Sequence, residues 1–127
     1  MNDIAIAATK NTPEILSEIA EHRITIRGEA YPENAAQFYG PFFSWLDDYL
    51  GQAIHHATEV NIELTYFNSS TSKVLLDLFD RLEKAVVGGQ QMVVNWRFHR
   101  DNDMILEYGE EFAEEVKRLD FRLLAYD

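Results

Sequence analysis

Residues 59–66, "EVNIELTY", alternate without a break: Val60, Ile62, Leu64 and Tyr66 stand against Glu59, Asn61, Glu63 and Thr65. Successive side chains of a strand point to opposite faces, so this segment has one apolar and one polar side. Residues 92–98 repeat the pattern with Met92, Val94, Trp96 and Phe98, and residues 23–27 with Ile24 and Ile26. Residues 121–126, "FRLLAY", show it more weakly. Strands buried on both faces read as near-continuous apolar runs instead. The sheet these segments form is therefore expected to be covered on one face and largely wet on the other.

Three segments of helical period can supply the cover. Residues 35–50 align Phe38, Phe42, Trp45, Leu46, Tyr49 and Leu50. Residues 71–86 align Leu75, Leu78, Phe79, Leu82 and Val86, and residues 102–117 align Ile105, Tyr108, Phe112 and Val116. Each set follows the i, i+3/i+4, i+7 spacing of one helix face. Gly88-Gly89 supplies a stop for the second helix. Pro41 lies inside the first pattern and predicts a kink or a late start.

Strands and helices alternate along the chain, which points to βαβ units with right-handed crossovers. The N-terminal stretches "IAIAA" and "EILSEIA" can add one or two edge strands. The expected fold is α/β, a mixed sheet of four to six strands with about three helices mainly on one face. Residues 1–127 suit one domain, large enough to bury a core of its own. Phe42, Leu46, Leu64, Leu75, Phe79, Val94, Trp96 and Phe112 are the expected core.

Composition narrows the chemistry. There is no cysteine, so thiolate metal sites, disulfides and a thiol nucleophile are excluded. The formal net charge is −11. A chain this acidic repels nucleic acid and anionic lipid unless it segregates a basic patch. The nearest such patch, "RFHR" at 97–100, is followed at once by Asp101 and Asp103. No nucleic-acid partner and no membrane insertion are expected. The N-terminus lacks the basic and apolar regions of a secretory signal, which predicts a cytoplasmic protein.

The polar stretch at 68–72, Asn68-Ser69-Ser70-Thr71-Ser72, follows a strand pattern and precedes a helix pattern. Helix N-termini offer unpaired N–H groups and partial positive charge, which suits an anion or a phosphoryl group. Simple N-capping by Asn68 or Ser69 explains one of these residues but not the others. "YPEN" at 31–34 reads as a turn with Asn34 as cap. His55 and His56 are adjacent and make a poor chelate, and His22 and His99 could join them only through tertiary placement, so no metal is expected. Glu107, Glu110, Glu111, Glu114 and Glu115 form a solvated helix face, or a docking surface for a basic partner. No nucleophile–base pair, phosphate loop or zinc-hydrolase motif occurs, so neither catalysis nor a cofactor is expected.

Four motifs occur in order from Tyr31 to Glu115: "YPEN" before an aromatic helix, "YFNSSTSK" between strand and helix, Asn95-Trp96 within a strand, and "EEFAEE" in the last helix. Together they resemble the SiaC family of bacterial regulatory phosphoproteins. The resemblance implies a fold similar to the STAS domain of anti-sigma-factor antagonists. It implies reversible phosphorylation by a dedicated Ser/Thr kinase and a PP2C-type phosphatase. It also implies that the unphosphorylated protein binds a diguanylate cyclase and promotes cyclic di-GMP synthesis, which affects biofilm formation. The family's acceptor follows the Asn of its loop motif and so falls on Ser69, a Ser where the best-known branch has Thr. Ser70 and Thr71 are the alternatives, with Asn68 and Tyr66 supporting the loop. An anti-sigma-factor antagonist or a small-molecule anion sensor is the competing reading.

Overall fold

A computed structural model describes residues 1–52 and 54–127. Its strands are β1 (Ala5–Ile6), β2 (Glu14–Glu18), β3 (Arg23–Ala30), β4 (Thr58–Phe67), β5 (Met92–His99) and β6 (Asp120–Tyr126). The helices α1 (Ala35–Leu50), α2 (Ser69–Val87) and α3 (Asp103–Glu115) follow β3, β4 and β5. The six strands form one mixed sheet in sequence order. The pairs β1–β2 and β2–β3 are antiparallel, and β3–β4, β4–β5 and β5–β6 are parallel. Both N-terminal stretches thus become strands, and the mixed α/β sheet read from the sequence is the one that forms. Three crossovers advance in one direction along the sheet, and with the right-handed course that such connections take, all three helices fall on one face.

The register turns the strand alternation into a continuous wall. Ile24 pairs with Val60, Val60 with Val94, and Val94 with Phe121. One pleat further on, Ile26, Ile62 and Trp96 line up in the same way. All eight residues expected in the core are buried, and they belong to one contiguous cluster. On the opposite face Thr65 and Arg97 are exposed, and Glu63 is only half-buried in its pair with Arg97. That face is not uniformly wet. Asn95 is buried there, donating to Glu59 and Asn61 of β4, while Arg23 reaches Glu59 from β3.

The alternation fails at one place. Gly28 pairs with Leu64, but Glu29 pairs with Tyr66, so Thr65 is an extra residue on β4. Such a bulge turns the side chains beyond it. Tyr66, expected on the apolar side, is 49% exposed, and Phe67 takes the inward position at 7%. Gly28 sits at φ +122°, a conformation that L side chains rarely adopt.

Pro41 neither delays nor ends α1, which runs from Ala35 through it. It is exposed, so water can serve the carbonyl its ring leaves unpaired. The residue before it is Gly40, which has no Cβ to clash with the proline ring in a helical turn. α2 ends as expected, with Gly88 N–H donating to the Lys84 carbonyl.

After α3 the chain turns into β6 over a carboxylate. Glu83 of α2 accepts from the backbone N–H groups of Lys117, Arg118 and Leu119. The N–H groups of Arg118 and Lys117, in that order, hold its carboxyl below the usual range.

α3 lies very close to the sheet. Trp96 is fully buried and its indole N–H donates to the Ile105 carbonyl at 2.9 Å. The indole then passes over Gly109, where an added Cβ would stand 2.4 Å from Trp96 Cδ1 and 2.8 Å from Leu123 Cδ2. Helix propensity alone makes Gly109→Ala a gain of about 1 kcal/mol. The collision should reverse that and destabilise the protein by about 1–3 kcal/mol. Urea denaturation checks it, and a stabilised variant would mean that the indole has room to move.

Candidate functional site

The bulge in β4 sets the direction in which the chain leaves the sheet. Phe67 is drawn inward and contacts the rings of Tyr108 and Phe112. Asn68 N–H bonds to the Ala30 carbonyl, tying the ends of β3 and β4 together. Helix α2 begins at Ser69, two residues earlier than its apolar stripe indicates.

The run of polar side chains at this turn resolves into distinct roles. Asn68 is the N-cap: its Oδ1 accepts from Thr71 N–H at 3.0 Å and from the Ser70 hydroxyl at 3.0 Å. Ser70 therefore braces the cap and does not supply it. Thr71 is buried, with its hydroxyl 3.0 Å from the Tyr39 hydroxyl of α1. Burial pushes the Tyr39 phenol above its ordinary value, and the bond to Thr71 partly offsets this. Ser69 differs from both. It is exposed, in the first position of the helix, and its hydroxyl has no hydrogen-bond partner among the described residues. First-turn amides have no intrahelical acceptor, and only that of Thr71 is taken by the cap. The amides of Ser69 and Ser70 thus stand beside an unengaged hydroxyl.

Neighbouring motifs meet at the same end of the sheet. Asn34 of "YPEN" caps α1 by accepting from Gln37 N–H at 3.1 Å. Tyr31 packs edge-on against Tyr66 with ring centroids 5.6 Å apart, which puts Tyr66 beside the loop as an aromatic contact. Sequence reasoning missed Asn102, which caps α3 by accepting from Ile105 N–H and also reaches the Thr65 carbonyl. Its signal was an Asn just ahead of an apolar-periodic run, the same signal read at Asn34 and Asn68. Three Asn-capped helix N-termini thus follow the carboxyl ends of β3, β4 and β5.

Other candidates lie elsewhere. His22 and His56 have ring centroids 4.7 Å apart near the start of β3, whereas His99 ends β5 and accepts from Asp101 N–H. Among the described residues no three His, Asp or Glu side chains converge as a metal site. Glu107, Glu110, Glu111, Glu114 and Glu115 are all exposed. Among the described residues no helix is long and apolar enough to cross a membrane.

The family described as SiaC family regulatory phosphoprotein matches residues 6–126. This chain belongs to the SiaC family. Its relatives include an uncharacterised protein of Pseudomonas aeruginosa (strain UCBPP-PA14), 32% identical over 127 residues, covering 100% of this chain and 99% of that one. The solved structure of SiaC of Pseudomonas aeruginosa superposes with a TM-score of 0.89 at 30% identity, over 99% of this chain and 100% of the other. A crystal structure of the diguanylate cyclase SiaD in complex with its activator SiaC, from the same organism, contains a chain that matches with a TM-score of 0.91 at 31% identity. That match covers 98% of this chain and 100% of the other. The matched family is one of regulatory phosphoproteins.

Proposed function

We propose that this chain is a phospho-switched activator of a diguanylate cyclase, with Ser69 as the phosphoacceptor. The carrying observation is the division of labour at the turn. Ser70 and Thr71 are engaged within the fold, whereas Ser69 is exposed and unengaged. A kinase needs an accessible hydroxyl, and Thr71 is 1% exposed. Membership of a family of regulatory phosphoproteins supports the phosphorylation, and the complex of the related SiaC with its cyclase supports the target class.

In this reading a Ser/Thr kinase modifies Ser69 and a PP2C-type phosphatase restores it, both acting in the cytoplasm. Asn68 keeps the helix start in place, and Tyr66 lines the approach to it. The unphosphorylated form binds the cyclase and raises cyclic di-GMP output. Phosphopeptide mapping after incubation with the cognate kinase tests the assignment. A single phosphoryl group on Ser69, and none on Ser69→Ala, is expected. A label on another residue, or Ser69→Ala modified to full stoichiometry, would remove Ser69 from the role. Unchanged cyclic di-GMP synthesis on adding the unphosphorylated protein to the organism's cyclases would remove the activator function.

A further inference from the structure

The sheet ends in two unlike edges. β1 spans only Ala5–Ile6, whereas β6 runs from Asp120 to Tyr126 and pairs with β5 alone. Edge strands are usually blunted by shortness, proline, a bulge or a charge turned inward. β6 has none of these. Its register with β5 is unbroken, and Phe121, Leu123 and Ala125 take its helix-side positions beside Val94, Trp96 and Phe98.

Two leucines show what shape of partner this edge accepts. Leu123 pairs with buried Trp96 on the helix side and Leu124 with exposed Arg97 on the other, yet the leucines are 36% and 43% exposed. A helix or sheet laid on one face would hide only one of them. A strand added at the edge flanks both, because its own side chains alternate between the same two faces. The backbone is set for such a strand. Tyr126 turns its carbonyl toward Arg100 N–H on the β5 side, so by alternation Phe121, Leu123 and Ala125 turn their polar groups to the open side.

β6 complements itself in one antiparallel register. We propose that the chain forms a twofold dimer through β6, with Leu124 facing its own copy across the axis and the sheet running on from one protomer into the other. Leu123 then exchanges hydrogen bonds with the partner's Ala125, and Arg122 brings its guanidinium to the ring of the partner's Tyr126. An axis at Leu123 would leave Arg122 opposite the partner's Leu124, and an axis at Arg122 would oppose two guanidinium groups.

The last helix fits the same arrangement. Gly109 lies against Trp96 of β5 and Leu123 of β6, so α3 rides over the outermost strand pair. Its copy would lie two strand spacings away, about 9–10 Å, which is the ordinary separation of packed helices. Tyr108 and Glu115 face β4 and α2, beside Phe67 and Phe79. Leu106 and Ala113, two residues before each, are turned about 200° from them onto the open flank. Both are half-buried, and Glu107 and Glu114 stand on the side away from the sheet. The flank that meets the copy is thus mainly apolar, with Glu110 at its rim.

The chain has no cysteine, so Leu124→Cys gives it a single thiol. In this register the two thiols face each other with Cα atoms about 4.5 Å apart, within disulfide reach. Arg122→Cys sets its thiols four residues apart along the strands, about 13 Å and beyond that reach. Mild oxidation is expected to link Leu124→Cys into a covalent dimer and to leave Arg122→Cys unlinked. Sedimentation equilibrium at physiological ionic strength, where charges more than about 8 Å apart are screened, is expected to show a wild-type dimer. Leu124→Lys opposes two ammonium groups at an exposed position and should raise the dissociation constant at least tenfold, with circular dichroism confirming the fold. A wild-type chain that stays monomeric up to millimolar concentration overturns the proposal. So does a folded Leu124→Lys protein that dimerises as the wild type does, or linkage of Arg122→Cys equal to that of Leu124→Cys.

Discussion

Phosphorylation of Ser69 is expected to lower affinity for the cyclase target at least a hundredfold while leaving the melting temperature nearly unchanged. The two halves of this result have different causes. Within the chain, the new charge sits at a helix N-terminus, where the macrodipole favours anions by typically ~0.3–1 kcal/mol. The amides of Ser69 and Ser70 face the same space, and Lys73 lies one turn along the helix. At the interface, a partner seated on this loop has to desolvate a dianion or place its own carboxylate beside one. A hundredfold loss corresponds to only about 2.7 kcal/mol, a modest demand on such a clash. Isothermal titration of the two phosphoforms measures the affinity, and calorimetric melting measures the fold. Equal affinities would mean that the partner docks away from Ser69. A large drop in melting temperature would mean that the switch works by unfolding the start of α2. Ser69→Asp should move affinity in the same direction by less, because one carboxylate supplies fewer charges and fewer acceptor oxygens than a phosphoryl group.

Phe79→Ala should cost about 3–5 kcal/mol of stability. Phe79 is 2% exposed and meets Phe112 of α3 at 5.3 Å and Phe121 of β6 at 5.1 Å, edge-on in both cases. It therefore joins α2 to the last helix and the last strand. Removing the ring loses its burial and leaves a cavity that three separate elements would have to move to fill. Chemical denaturation gives the value. A loss below about 1 kcal/mol would mean that α3 and β6 close over the gap almost completely.

The alternation of residues 59–64 and 92–98 and the three helical stripes contained enough to read an α/β sheet with one covered face. Period two and period 3.6 state which side of each element must leave water, and in a sheet whose crossovers all run one way the helices have one face to cover. The polar turn at 68–72 was visible for a similar reason: a run of hydroxyls between a strand and a helix lies next to unpaired amides wherever the rest of the chain goes. Family membership of the whole chain agrees with motifs that lie in order along it.

What the sequence could not express is anything that depends on two elements at once. Tyr66 reads as inward by period, but the extra residue opposite Gly28 and Glu29 turns it out and brings Phe67 in. Gly109 lies within the third helix pattern, and only the Trp96 indole lying against it explains the missing side chain. Ser69, Ser70 and Thr71 are three near-identical hydroxyls in the sequence. In the fold, the Tyr39 hydroxyl of α1 and the Asn68 cap engage two of them and leave Ser69 exposed. A local pattern sets which way a side chain tends to point, because that follows from the geometry of its own backbone. Which atoms it then meets is decided by register and packing between segments distant in sequence, and those exist only once the chain has folded.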